Sequence, residues 1–576
     1  MLRGLSVSSG IAHGTAYVLS SVDRTMVPRH SLKAADIDAE IARLDAALAA
    51  AEKELLTLRE DVAHRIGASE AEIFTAQALV VRDRGLYAQV VAVVQQDRVN
   101  VEAAVVDVID KFIRAFDQVP DAYLRERAAD VRDVGRRILS SLAKDDGQRA
   151  LDIPEGSILV ADELLPSTTA RFEFSQVRAL VTDRGGKFSH TSILARSLRI
   201  PALTGIREAL SKIKTGDYLI VDGMSGILFI NPGKSVRREY ERLSNELSAY
   251  RAELQKSIDL PSVTLDGTAV PLLANASKVS DTEAAHLYRA DGIGLYRTEF
   301  AFSIRNAFPT EDEQYQLLKR AAERLHPRKI VLRLLDVGGD KQLAYFPLPA
   351  SRNPSLSQRG IRLLLENPEV LKTQLRAFLR VSADHPVSVL LPMVGGLDEV
   401  RGARAVLTQV MADLTAEGNA FNPSIPLGAM IEIPSAAALT SVLAKELDFF
   451  SLGTNDLVQY LLAADREDES VGDYYQPLHP AVLRSIRFVA DAARAANRPL
   501  TICGEMAGDP AYTELLLGLG LREFSVAPGE MLEVKNAIRT ATLAKAEALA
   551  AAALELGTTS EIEALLAYRR RAKSES

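Results

Sequence analysis

Two kinds of hydrophobic patterning divide this chain. From Ile37 onward, apolar residues recur at alternating spacings of four and three: Ile37, Ile41, Leu44, Leu48, Ala51, Leu55 and Leu58. That spacing puts them on one stripe of a helix packed against another helix. No proline occurs between Pro28 and Pro120, and the pattern runs on more loosely to about Leu142, which predicts a helical bundle. Elsewhere the apolar residues come in short runs bounded by Gly, Pro and Asp. A strand-like segment ends near Tyr17-Val18-Leu19, and after Leu151 come Ser157–Val160, Ala179–Val181 and Tyr218–Val221. These read as buried strands of an α/β unit that the bundle interrupts early.

Asn231-Pro232-Gly233 breaks this unit. Val236, Tyr240, Leu243, Leu247, Tyr250 and Leu254 then share one helical face, predicting a connecting helix that ends before Pro261. Beyond it lie eight apolar runs: Val270–Ala276, Gly292–Phe300, Lys329–Val337, Val387–Val394, Pro426–Pro434, Asp448–Asp456, Pro499–Met506 and Glu523–Ala527. Helix-sized segments separate them, as in a (β/α)8 barrel. The Ala-rich stretch from Thr542 to about Leu556 closes the fold as helix. The expected organisation is therefore a multidomain α/β protein. An α/β unit spans 1–20 and 146–230, an inserted helical bundle 21–145, a linker helix 231–261, and a TIM-like barrel 262–576.

Composition narrows the setting without naming a chemistry. The 576 residues are 47% apolar and 25% charged, which is ordinary globular composition. The net charge of −8 argues against nucleic acid as a main partner. The first residues lack the apolar core of a signal peptide, and no stretch approaches the length of a membrane span. A multidomain cytoplasmic protein is the expectation. One cysteine, Cys503, excludes an internal disulfide and a Cys-rich zinc site.

The chemistry-bearing residues cluster at the C-terminal ends of the barrel's strand runs, where this fold builds its active sites. Arg297 follows Gly-Ile-Gly-Leu-Tyr. Arg333 and Asp336 end one run, and Glu432 lies in Met-Ile-Glu-Ile-Pro. Asn455 and Asp456 end another run, and Cys503 and Glu505 end a third. Glu432 and Asp456 are hard oxygen ligands suited to Mg2+. Arg297, Arg333 and Arg466 are forks for phosphate and carboxylate. Together they describe a site for a phosphorylated small acid with metal. Cys503, without a partner thiol, is read as a nucleophile or a proton donor. Taken singly, each has a plainer reading: Glu432 as an ion-pair partner, Cys503 as a small buried hydrophobe, Arg466 as a solvated helix charge.

A second candidate lies in Asp183-Arg184-Gly185-Gly186-Lys187-Phe188-Ser189-His190-Thr191-Ser192. The glycine pair lets backbone amides approach a ligand. Ser189 and Thr191 read as capping residues for a helix through Arg196, which puts His190 where amides and dipole favour an anion. An imidazole there could carry a phosphoryl group, although an isolated motif of this kind also reads as a capped loop histidine. The other histidines (His13, His30, His64, His286, His326, His385 and His479) read as surface or packing residues.

These residues resemble a known family. The run Gly185–Leu198 is similar to the phosphohistidine signature of enzyme I of the bacterial phosphoenolpyruvate:sugar phosphotransferase system, and Asp448–Leu457 resembles that family's second signature. Glu126–Asp133, Gly338-Gly339-Asp340-Lys341 and Cys503–Gly508 also match. The resemblance covers essentially the whole chain. It implies that His190 is phosphorylated by phosphoenolpyruvate and passes the group to a histidine of the carrier HPr. It implies substrate binding by Arg297, Arg333, Asn455, Asp456 and Arg466, with Lys341 and Arg359 as further candidates. It implies magnesium on Glu432 and Asp456, proton donation by Cys503 to yield pyruvate, and a hydroxyl near the histidine at Thr169. It also implies a homodimer through the barrel and HPr docking on the bundle. Because the histidine lies in a different domain from the metal site, a swivel of the N-terminal part about the 234–260 helix region is expected.

One segment departs from the family pattern. Asn-Pro-x-Leu-Gly-x-Arg-x-x-Arg reads here Asn353-Pro354-Ser355-Leu356-Ser357-Gln358-Arg359-Gly360-Ile361-Arg362. Serine in place of a glycine with φ > 0 would be strained, which bears on the loop geometry and on Arg359. The competing readings are a pyruvate-phosphate dikinase or phosphoenolpyruvate synthase, and a non-catalytic phosphorelay paralogue. The first needs an ATP-grasp domain for which this chain has no room. The second is disfavoured by Cys503, Glu432 and Asp456 together. The resemblance favours the sugar system over its nitrogen-related variant because no sensor domain precedes the α/β unit.

Overall fold

A computed structural model describes the chain except residues 20–28, 66–73, 75–76, 79, 118–121, 144–152, 165, 170–171, 173, 187–189, 199, 304, 306, 340, 342, 344, 350, 467, 469 and 575–576. It forms two compact units, Met1–Tyr250 and Arg251–Ser576. The division falls inside the helix Lys234–Lys256, which the one-sided apolar pattern predicts.

In the first unit, the bundle contains the helices Ile37–Arg65, Arg84–Asp97, Val101–Asp117 and Ala122–Ala143. The stripe read from sequence faces its core. Leu44, Ala51 and Leu55 are fully buried, with Ile37, Ile41, Leu48 and Leu58 packed around them. The α/β part is an eight-stranded sheet: β1 (Leu2–Arg3), β2 (Leu5–Ser8), β3 (Ile11–Val18), β4 (Ser157–Ala161), β5 (Val177–Thr182), β6 (Ala202–Thr204), β7 (Tyr218–Asp222) and β8 (Ile227–Ile230). Their spatial order is β1-β8-β7-β3-β4-β5-β6-β2. Strands β3 to β6 are parallel neighbours. Both faces are covered: Ile158 and Val160 join one apolar cluster, while Leu159 and Ala161 join another. That is why β4 reads as an unbroken apolar run rather than an alternating one. Arg132 of the bundle pairs with Glu163, just past β4, at 2.7 Å.

The second unit is a closed barrel of eight parallel strands. They are β9 (Leu272–Ala276), β10 (Gly292–Tyr296), β11 (Lys329–Arg333), β12 (Val387–Leu391), β13 (Leu427–Ile431), β14 (Phe449–Leu452), β15 (Leu500–Ile502) and β16 (Glu523–Val526). Each falls within one of the eight runs read from sequence. Leu295, Val331, Leu390, Met430 and Cys503 form an apolar layer of their own. At the opposite strand ends, Lys329 Nζ holds both oxygens of Glu523 at 2.8 Å. The helix Leu543–Glu555, capped by Thr542, is the Ala-rich closing segment, and a further helix, Thr559–Ser574, follows it. Among the described residues no helix is long and apolar enough to cross a membrane.

Candidate active site

The C-terminal ends of the barrel strands carry the residues that the sequence singled out, with one shift in register. Arg333 is the last residue of β11, Glu432 follows β13 and Cys503 follows β15. Asn455 and Asp456, however, do not end β14. That strand stops at Leu452, and both residues sit in the first turn of the helix Thr454–Leu462. Thr, Asn and Asp are residue types that suit a helix start, and here that preference overrides the apolar run before them.

At the centre is a buried carboxylate–guanidinium network. Arg359 is 2% exposed. Its Nε donates to Asp336 Oδ1 at 2.8 Å and its Nη2 to Asp336 Oδ2 at 2.9 Å, a bidentate fork. Its Nη1 reaches Asp456 Oδ1 at 3.3 Å. Lys341 Nζ donates to Asp336 Oδ2 at 3.1 Å. Arg333 Nη2 donates to Glu299 Oε1 at 2.7 Å and lies 3.3 Å from Asp336 Oδ2. Burial alone would raise the Asp336 carboxyl, but Arg333, Lys341 and Arg359 outweigh it and hold the group well below the usual range.

Glu432 has the opposite environment. Burial pushes its carboxyl up to about 7, and the negative charges of Asp456 and Asp336 add to the effect. Arg333 and the Met393 amide only partly offset them. Its Oε1 accepts from Met393 N at 2.6 Å, and its Oε2 is buried with no hydrogen-bond partner. A Cβ at Gly453 would stand 2.8 Å from that oxygen, so the missing side chain keeps the space beside it open. Among the described residues no group of three or more His, Cys, Asp or Glu side chains is arranged to hold a metal ion. The two-carboxylate set still fits a hard divalent cation. It offers an orphaned buried oxygen and a second carboxylate whose charge acts on it.

Cys503 lies where the apolar layer meets this polar mouth and is 2% exposed. Burial pushes its thiol up to about 11. The Ser451 hydroxyl and Arg297 pull the other way. Ser451 Oγ donates to Cys503 Sγ at 3.2 Å. Asn455 and Glu505 hold each other: Asn455 Nδ2 donates to Glu505 Oε1 at 3.1 Å, and Glu505 N to Asn455 Oδ1 at 2.8 Å. Arg297, exposed after β10, and Arg466, half-buried past the helix Thr454–Leu462, stand outside the buried network.

The departure in the 353–362 segment has no strained consequence. Ser357 takes φ −87° and ψ −169°, ordinary extended backbone, and its hydroxyl donates to Pro354 O at 2.7 Å. The loop is instead shaped by Gly338, at φ +109°, where a Cβ would meet Gln358 O at 2.2 Å. That backbone approach carries Arg359 inward. Ser451, Glu299 and Asp336's role as a hub went unrecognised in the sequence because Cys503, Arg333 and Arg359, with which they respectively pair, lie 52, 34 and 23 residues away. Only Asp336 had a cue, its place past a strand run.

In the first unit His190 opens the helix His190–Leu198. Its side chain, together with Lys187, Phe188 and Ser189, lies outside the described residues. Thr191 is not a cap. It is the second helical residue, and its hydroxyl donates to Leu164 O at 3.3 Å, while Ser192 Oγ closes onto Gly186 O at 2.6 Å. Thr169 ends the short helix Pro166–Thr169 and is buried. A cavity of about 640 Å3 is lined by Asp162, Asp183, Arg184, Gly185 and Arg207 among others.

Comparison with known proteins supplies the rest. Three models describing PEP-utilising enzymes match in order: the N-terminal domain over residues 3–127, the mobile domain over 153–226, and the PEP-binding domain over 251–543. The chain is 40% identical to a phosphoenolpyruvate-protein phosphotransferase of Haemophilus influenzae, covering 98% of each chain. It is 41% identical to proteins of that name from Geobacillus stearothermophilus, over 97% of this chain and 96% of that one, and from Enterococcus faecalis, over 98% and 99%. The barrel mouth, the helix that starts at His190 and these full-length matches agree, and the chain belongs to the phosphoenolpyruvate-protein phosphotransferase family of PEP-utilising enzymes.

Proposed function

We propose that this chain takes the phosphoryl group of phosphoenolpyruvate onto its own His190, passes it to a histidine of the carrier HPr, and releases pyruvate, the first step of the sugar phosphotransferase system. The observation that carries the reading is the convergence of Arg333, Arg359, Glu432 and Asp456 at the barrel mouth, with Arg333 and Glu432 close enough to act on Cys503. Glu432 and Asp456 would hold Mg2+, which when bound neutralises charge on the substrate's oxygens. Arg297, Arg333, Asn455 and Arg466, with Lys341 and Arg359, would bind and orient the substrate. The P–O bond to the enol oxygen breaks as an imidazole nitrogen of His190 bonds to phosphorus. The enolate's methylene carbon then takes the proton of the Cys503 thiol, and the thiolate recovers a proton from solvent. A thiol held at about 11 keeps that proton until a strong carbon base appears. Thr169 is read as a hydroxyl partner of the histidine. The bundle is read as the HPr docking surface, the barrel as a homodimer contact, and the cytoplasm as the compartment.

Incubation with radiolabelled phosphoenolpyruvate, Mg2+ and HPr tests this. Acid-labile label should appear on the chain and move to HPr. No label on the protein would sink the reading, and labelling from ATP without phosphoenolpyruvate would favour a dikinase. His190→Ala should abolish labelling of both proteins. Cys503→Ala should keep phosphoenolpyruvate binding but release pyruvate far more slowly.

A further inference from the structure

Asp336 is completely buried, three residues past the end of β11. A carboxylate in such a place is costly unless cations and donors compensate it. Its compensation comes from three places in the chain. Arg333 arrives from the strand end at 3.3 Å, Lys341 from the turn after Gly338 at 3.1 Å, and Arg359 from the following loop at 2.8 and 2.9 Å. These three are candidate substrate-binding cations, and they would repel one another if brought together without an anion between them. Asp336 has no exposed surface with which to touch a ligand itself.

We infer that Asp336 is a positioning residue, which gathers Arg333, Lys341 and Arg359 into one cradle before the phosphoryl group arrives. This rests on the function proposed above. One further observation separates it from an ordinary structural ion pair. Arg333 Nε is buried with no hydrogen-bond partner, a donor left over after Glu299 and Asp336 are served. Buried donors are seldom left unmade, and a cation with one to spare suits an anionic ligand. Holding the guanidinium groups beforehand spares the reaction their reorganisation, the sense in which preorganised charge is catalytic.

The test uses the full-length chain with Mg2+ and compares two ligands by calorimetry: phosphoenolpyruvate, and oxalate, a planar dianion without a phosphoryl group. Asp336→Asn should weaken phosphoenolpyruvate binding about tenfold or more, and leave oxalate within about twofold. Equal weakening of both ligands, or no change for phosphoenolpyruvate, overturns the inference. A wild-type chain that binds no phosphoenolpyruvate sinks the functional reading, and this inference with it. If Asp336→Asn does not fold, the charge-balanced pair Asp336→Asn with Arg359→Met replaces it. That double variant should bind phosphoenolpyruvate about fivefold more weakly than Arg359→Met alone, because Arg333 and Lys341 also lose their anchor. Equal affinities would show that Asp336 serves Arg359 only.

Discussion

Cys503 and Glu432 show how position alone sets the chemistry of a side chain. The thiol sits on the apolar layer of the barrel, and its charged form has little to solvate it, so the group is neutral across the physiological range. Its folded value of about 11 lies above the ordinary 9.0. The sign therefore follows: its contribution to stability is present below pH 9 and is lost as pH rises through 11. Alkylation needs the thiolate. Iodoacetamide should modify Cys503 in the folded chain far more slowly at pH 8 than in the urea-unfolded chain, with the rate rising toward pH 11. Intact mass spectrometry follows this, and equal rates at pH 8 would remove the thiol from that environment. Glu432, held up to about 7 by burial and by two neighbouring carboxylates, must lose its proton to bind a cation. Mg2+ affinity should thus strengthen by about tenfold from pH 6 to pH 8, near one decade per pH unit below that value. Titration calorimetry at the two pH values checks it, and a flat profile would take Glu432 out of the ligand set.

At the scale of elements, the loops after β11 matter as much as the strands. Gly338 lets one backbone lie on another, and Gly338→Ala would force a Cβ to within 2.2 Å of Gln358 O at a φ of +109°. Loss of about 1–3 kcal/mol is expected in denaturant melts, together with weaker phosphoenolpyruvate binding as Arg359 shifts. Ser357→Gly, which restores the family's glycine, should not stabilise the chain. The residue already has negative φ, and the change removes a hydroxyl bond worth about 0.5–1.5 kcal/mol. A stabilised variant would mean the loop is strained after all. The barrel strands were legible as apolar runs because parallel strands buried on both faces have no polar side to show. The short strands Leu2–Arg3 and Ala202–Thr204 were not, since two or three residues carry no period. Asn455 and Asp456 were placed at the right end of the barrel but on the wrong element. A run of apolar residues does not announce where a strand yields to a helix.

The whole molecule has separate apolar cores in its two units. The bundle and sheet clusters lie in the first, and the large barrel cluster in the second. Units with their own cores need not unfold together. Calorimetry should show two transitions, and in a His190→Ala chain, which cannot take the phosphoryl group, phosphoenolpyruvate with Mg2+ should raise only the one belonging to the barrel, by mass action on the unit that binds it. A shift of both transitions would place ligand contacts in the first unit as well.

The sequence by itself determined the alternation of bundle, sheet and barrel, because burial imposes its period on neighbouring residues. It also marked the end of the barrel where Arg333, Glu432 and Cys503 stand, and the helix start at His190. What only the tertiary structure decided is which of these groups meet. That Arg359 closes on Asp336, that Ser451 donates to Cys503 and that Glu432 keeps one oxygen unpaired are facts about residues 23, 52 and more positions apart. Local spacing holds no record of such encounters. They are set by strand order and register around the closed barrel, and the charge state of each group follows from them.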